Sequence, residues 1–139
     1  SGGAGVTEAT QLDDDTSPFS RFIGLEHLEI TDQHAITRLQ TEAHHLNPTG
    51  AIHGGALMAL ADNTATRMAN HANAGGPNDG RFMVGIDAHA TFLGNQPGGL
   101  VTAEATPVRV GRRITVIRTR VIGDDDRLLI ELTTTHIPA

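Results

Sequence analysis

The sequence predicts an α+β domain in which one long helix packs against a curled antiparallel sheet of about five or six strands. Two observations predict it. Residues 54–72 carry apolar and small side chains at three- and four-residue steps, whereas most of the surrounding chain alternates and is rich in Val, Ile and Thr. A single helix cannot cover both faces of such a sheet. We therefore expect the sheet to wrap around the helix and to use its other surface or its edges in assembly.

Residues 17–139 are expected to form this domain, after a small, polar and acidic flexible tail over residues 1–16. Ser17 as N-cap and Pro18 at the first helical position predict a short helix that ends at Gly24. The stretch 25–43 alternates as two strands joined by a turn at "TDQH". A loop rich in proline, glycine and histidine then leads into the long helix.

The long helix is predicted from Gly54 to about Ala72, where "NAGGPNDG" ends it. One stripe of this helix is apolar, comprising Leu57, Ala61, Thr64, Met68 and Ala72. Asp62 lies beside that stripe, in line with Met58 and Thr66. An aspartate near a packed interface is desolvated and becomes a stronger base. Asp62 is therefore a candidate catalytic residue.

The C-terminal half reads as four strands, over residues 81–94, 100–111, 113–123 and 127–137. Their separators are short, which predicts antiparallel neighbours. The third run alternates clearly. One face carries Thr115, Ile117, Thr119 and Val121, and the other carries Ile114, Val116, Arg118 and Arg120.

Composition excludes several classes of function. The net charge of −6 argues against a nucleic-acid-binding surface. The absence of cysteine excludes disulfides, thiolate metal sites and cysteine nucleophiles. No apolar run is long enough to span a membrane and no signal-peptide layout is present, so we expect a cytoplasmic protein. His44, His45 and His53 lie closest together among the histidines. We expect no metal, because neighbouring histidines on a strand point to opposite faces.

The segment "NPTGAIHGGALMALAD", residues 47–62, carries a spaced set of polar residues. His-Gly-Gly begins six residues after Asn47, and Asp62 follows His53 by nine. This set resembles the hotdog-fold acyl-CoA thioesterases of the phenylacetate-pathway type, and the resemblance covers roughly residues 18–137. It implies a thioester hydrolase that binds acyl-CoA, with coenzyme A as part of the substrate and no other cofactor. It also implies a homodimer joined edge to edge, or a homotetramer built as a dimer of dimers, with active sites at the subunit interface.

The first turn of the helix offers free N–H groups to a substrate carbonyl. We assign the Gly54 N–H as the oxyanion donor, with His53 shaping or assisting that site, and Gly55 to coenzyme A contact. Asp62 could activate water or attack the carbonyl directly. Thr66 could hold the attacking water or only fill the helix. Asn47 could orient the carbonyl or the water, or serve only as a turn residue.

A basic turn, "VRVGRR", supplies Arg109, Arg112 and Arg113 at a strand-turn-strand corner. It resembles the family's nucleotide-contact segment, and arginine suits a phosphate because it can donate two parallel hydrogen bonds. The alternative is ordinary solubilising charge on a hairpin.

Two other functions stay open at this stage. One is a hotdog enoyl-CoA hydratase or dehydratase, and the other is a non-catalytic acyl-CoA-binding protein. Because the chain has four Phe and no Trp or Tyr, the acyl pocket is expected to be mostly aliphatic and small. Such a pocket permits short- or medium-chain acyl groups, or an aryl group flanked by Phe82 or Phe92.

Overall fold

The computed structural model describes residues 17–139, so the expected tail at residues 1–16 lies outside the described residues. The described chain confirms the α+β prediction. Two α-helices and six strands follow in the order α1 (Pro18–Ile23), β1 (Glu26–Ile30), β2 (Ala35–Gln40), α2 (Gly54–Ala72), β3 (Met83–Phe92), β4 (Leu100–Val110), β5 (Thr115–Ile122) and β6 (Leu128–Pro138). No helix in residues 17–139 is long and apolar enough to cross a membrane.

The six strands form one antiparallel sheet in the order β1-β2-β4-β5-β6-β3. The expectation that all four C-terminal strands pair in sequence is wrong for β3, which pairs with β6 at the edge of the sheet. The connection over residues 93–99 crosses from that edge to β4. Two strands intervene, so the crossing spans about 14 Å, which an extended chain of this length covers easily. A short separator therefore does not require its two strands to be neighbours.

Local sequence signals account for α1 and its position. The Ser17 hydroxyl accepts a 3.4 Å hydrogen bond from the Ser20 N–H, and Gly24 ends the helix with φ at 85°. The Ser20 side chain is buried and accepts a hydrogen bond of 3.0 Å from the Asn63 amide of α2. This bond attaches the short helix to the long one, and the cap residues alone could not predict it.

The core lies between α2 and the concave face of the sheet. On the predicted apolar stripe of α2, Leu57, Ala61, Thr64 and Met68 are buried and Ala72 is partly buried. On β5 the buried face is the predicted one, with Thr115, Ile117, Thr119 and Val121. Helical and strand periodicity thus predicted correctly which faces meet.

Within residues 17–139, strand β3 is an edge strand of ten residues with β6 as its one neighbour in the sheet. It runs alongside α2, because Phe92 contacts Gly54 at one end and Asn70 bonds the backbone of Met83 at the other. Its unpaired backbone groups can accept another strand. The free edge and the helix that carries Asp62 therefore lie side by side.

Candidate active site

The His-Gly-Gly segment forms the N-terminus of α2. His53 is the N-cap, and its Nδ1 accepts a hydrogen bond of 2.8 Å from the Gly55 N–H. A Cβ on Gly55 would lie 2.9 Å from that nitrogen, so the cap requires glycine at this position. The Gly54 N–H, in contrast, has no acceptor among residues 17–139. One backbone donor at the start of the helix is therefore available to a ligand.

The capping bond also determines which ring nitrogen of His53 carries a proton. Because Nδ1 accepts from Gly55, the proton of the neutral ring is on Nε2. His53 is exposed, so the Nε2–H faces solvent beside the helix N-terminus. His53 and Gly54 together present two N–H groups.

The loop before the helix is organised by Asn47. Its Oδ1 accepts hydrogen bonds from the Thr49 N–H (3.0 Å), the Thr49 hydroxyl (2.6 Å) and the Ala51 N–H (3.2 Å). This oxygen thus has the turn role that composition suggested. Its Nδ2 has no acceptor within the described part of the chain, so one donor group of Asn47 is available to a ligand.

Two residues that sequence reasoning missed hold this loop from the β3–β4 connection. The Asn95 amide donates to the Ile52 carbonyl (2.8 Å), and the Ile52 N–H donates to the Gln96 carbonyl (3.1 Å). The buried Gln96 side chain donates to the Gly98 carbonyl (2.6 Å) and accepts from the Asp124 N–H (2.8 Å). Two adjacent amides before "PGG" were the signal, because amide side chains in a loop commonly bond backbone groups.

The prediction of no metal assumed that His44 and His45 lie on a strand. They lie instead in a single 3₁₀ turn over Ala43–His45, with ring centroids 4.0 Å apart. His45 is buried: its Nδ1 accepts from the Glu42 N–H, and its Nε2 donates to the Ile23 carbonyl. Both nitrogens serve the fold, so His45 is a structural residue. Between residues 17 and 139 no three His, Asp or Glu side chains converge in a metal-ligating cluster.

Asp62 faces a groove between α2 and β3. The four-residue steps of one helix line lead from Gly54 through Met58, Asp62 and Thr66 to Asn70, and both ends of this line contact β3. Residues directly opposite each other on neighbouring strands share one face of the sheet. The β3 residues opposite the buried residues of β6 are Gly85, Ala88, Ala90 and Phe92, so the β3 side chains that face the helix are mostly small. Asp62 is exposed and has no hydrogen-bond partner among the described residues. We call this space the α2–β3 groove.

His136, on β6 opposite Gly85, was not predicted as a site residue. It is fully buried, its Nε2 lies 2.8 Å from the Thr134 hydroxyl, and its Nδ1 has no partner in the described chain. Burial lowers the pKa of His136, and the negative charge of Asp62 raises it by a smaller amount. The neutral imidazole and the Asp62 carboxylate are therefore electrostatic neighbours at the groove.

The predicted site residues do not all meet within one chain. Asp62 lies eight positions after Gly54, which is about 12 Å along a helix and too far for both to touch one carbonyl group. The β4–β5 hairpin, with Arg109, Arg112 and Arg113, lies at the opposite end of α2 from Gly54. There the Asn78 amide donates to the Arg112 carbonyl (2.8 Å). Arg112 and Arg113 line a pocket of about 540 Å³ together with Arg81, while Arg109 lies outside it.

Comparison with known proteins identifies the family. The protein-family model described as Thioesterase superfamily matches residues 49–130, which are more than half of the chain. This chain belongs to the thioesterase superfamily. The six-stranded sheet around α2 is its hotdog fold, and the protein is a thioester hydrolase, as the motif at residues 47–62 implied.

Similar proteins agree with this assignment. The 1,4-dihydroxy-2-naphthoyl-CoA hydrolase of Listeria monocytogenes is 27% identical over 107 residues, covering 77% of this chain and 84% of that protein. The structure of the conserved protein PA5202 from Pseudomonas aeruginosa has a TM-score of 0.80 and 28% identity, covering 88% of this chain and 94% of that one. A single-residue variant of the phenylacetic acid degradation protein PaaI from Thermus thermophilus has a TM-score of 0.78 and 26% identity, covering 88% and 100%.

Proposed function

We propose that this thioesterase hydrolyses a short-chain, medium-chain or aryl acyl-CoA to the free acid and coenzyme A, at a site shared by two copies of the chain. The observation that carries the proposal is the Gly54 N–H, which has no acceptor among residues 17–139, while its neighbour Gly55 is capped by His53. An unpaired donor at a helix N-terminus stabilises the negative charge that develops on a thioester oxygen.

The remaining groups fit roles in this reaction. The His53 Nε2–H and the Asn47 amide are further donors for the carbonyl oxygen or for water. In one route Asp62 takes a proton from water as the water attacks the carbonyl carbon; the C–S bond then breaks and the thiolate receives a proton. In the other route Asp62 attacks the carbonyl carbon, the C–S bond breaks with release of the thiolate, which receives a proton, and water hydrolyses the resulting anhydride. In either route Thr66, one turn beyond Asp62, can hold the water.

The distance of about 12 Å between Gly54 and Asp62 is the reason for a shared site. If two copies pair their β3 edges antiparallel about a two-fold axis, the two α2 helices run in opposite directions along the groove. Gly54 is level with Phe92, and Asp62, midway between the two contacts of α2 with β3, is level with about Ala88. An axis that crosses β3 near Ala90 then places Gly54 of one copy beside Asp62 of the partner subunit.

The same pairing gives the arginines a role. Along β3, the pocket with Arg112 and Arg113 lies about 20 Å beyond the level of Asp62. In the paired arrangement, Gly54 is closer to the arginine pocket of the partner subunit than to the arginine pocket of its own chain. An extended pantetheine arm bridges such a separation, and the guanidinium groups then contact the phosphates of coenzyme A. Further pairing of dimers would give the tetramer that the resemblance implies.

The test measures free-thiol release from a panel of short-chain, medium-chain and aryl acyl-CoAs. Asp62→Asn should lose turnover of every substrate while the dimer stays intact. The matched control is Asp126→Asn, an exposed aspartate of the β5–β6 turn that should keep full activity. If the wild type binds acyl-CoA without releasing thiol from any of them, catalysis is refuted and the non-catalytic acyl-CoA-binding alternative takes its place.

A further inference from the structure

Phe92 ends the row of β3 residues that faces α2; the other large side chain of this row, Met83, is fully buried at the opposite end of the strand. Its ring lies against the first turn of the helix: an ideal Cβ on Gly54 would be 3.2 Å from Phe92 Cε1 and 3.7 Å from Cζ. The ring is nevertheless 56% exposed in the single chain. It therefore has a free face beside the unpaired Gly54 N–H.

We propose that Phe92 is a specificity-determining residue, whose ring forms the wall of the acyl site and selects flat, aromatic acyl groups over saturated ones. This inference rests on the proposed function, because it assumes that the thioester oxygen binds the Gly54 N–H. An oxygen at hydrogen-bond distance from that nitrogen brings the adjoining acyl carbons within a few ångströms of the ring. The small side chains of Ala88 and Ala90 leave a slot beside it.

No other phenylalanine among residues 17–139 is in a position to do this. The chain has no Trp or Tyr. Phe19 and Phe22 are on α1, and Phe82 precedes the opposite end of β3, where its carbonyl accepts from the Ala139 N–H. Of the two phenylalanines considered for an aryl group, the structure thus favours Phe92. Aromatic pairs gain energy beyond their buried area, which corresponds to about a 3- to 10-fold preference.

The test compares benzoyl-CoA with cyclohexanecarbonyl-CoA, which have the same ring size and attachment and differ in planarity and aromaticity. The readout is the ratio of their kcat/KM values in the wild type and in Phe92→Leu. Leucine keeps an apolar side chain and removes the ring, and differences in intrinsic reactivity cancel between the two enzymes. We expect the ratio to fall about 3- to 10-fold in the variant.

The matched control is Phe82→Leu, the same substitution at a similarly exposed phenylalanine (51%), and it should leave the ratio unchanged. An unchanged ratio in Phe92→Leu, with both thioesters still turned over, overturns this inference and leaves the thioesterase function standing. Absence of turnover in the wild type overturns the proposed function instead. If Phe92→Leu does not fold, Phe92→Met gives the same readout, and Phe92→Trp should preserve the aromatic preference.

Discussion

Two inactive variants of a shared site should restore activity when they are mixed. The first is Asp62→Asn, which removes the proposed base or nucleophile. The second is Gly54→Pro, which removes the proposed oxyanion donor because proline has no N–H. If each active site combines Gly54 of one copy with Asp62 of the other, a mixed dimer contains one intact site and one site with both defects.

The local structure makes Gly54→Pro a selective change. Gly54 is the first helical residue, a position that tolerates proline, and His53 has φ −62° and ψ 131°, which suits the residue before a proline. Loss of one oxyanion donor costs about 2.7–4 kcal/mol, or roughly 100- to 1000-fold in kcat. Gly54→Ala is the matched control: it introduces the same Cβ, 3.2 Å from Phe92, and keeps the N–H. It should therefore retain much more activity than the proline variant.

The expected yield follows from counting sites. Equal amounts of the two variants that exchange subunits freely give about half mixed dimers, each with one working site of two, so about a quarter of wild-type activity should return if each active site spans two copies. If the two variants differ in mass, native mass spectrometry measures the fraction of mixed dimer directly, alongside the assay of thiol release. Abundant mixed dimer with no recovered activity would show that each site lies within one chain and would refute the geometric argument.

Three further predictions concern the surroundings of the site. Gln96→Leu removes the side-chain hydrogen bonds to Gly98 and Asp124 and should lower the free energy of unfolding by about 1–3 kcal/mol in denaturant titrations; unchanged stability would show that these bonds do not hold the loop. Burial lowers the pKa of His136, so below pH 6.5 the unfolded chain binds a proton that the folded chain does not. The free energy of unfolding should therefore decrease as the pH is lowered below 6.5, by at most about 1.4 kcal/mol per pH unit, until the pKa of His136 in the folded chain is reached. His136→Asn should remove this contribution and the exposed His44→Asn should keep it; equal slopes in the two variants would contradict the assignment. Replacing Arg112 and Arg113 with alanine should raise KM for acyl-CoA more than it lowers kcat, and should not affect an acyl-pantetheine substrate that lacks the nucleotide. An unchanged KM for acyl-CoA would exclude the phosphate role.

The sequence by itself determined the elements that depend on neighbouring residues. The four-residue steps of α2 predicted its bounds and its buried stripe, and the alternation of β5 predicted its buried face. Ser17, Pro18 and Gly24 predicted both ends of α1. These signals are reliable because periodicity and capping act within one or two turns of the chain. The spacing of Asn47, His-Gly-Gly and Asp62 likewise predicted the family.

Only the tertiary structure decided how distant segments meet. The sequence could not show that β3 crosses to the far edge of the sheet, that Phe92 lies against Gly54, or that the buried His136 is a neighbour of Asp62. It also could not show that the arginines of the β4–β5 hairpin lie at the other end of α2 from Gly54. These contacts join residues tens of positions apart, and they follow from how the curled sheet packs around one helix. The local sequence pattern carries no information on that packing. The distance of about 12 Å along α2 between Gly54 and Asp62 supports a site shared between two copies.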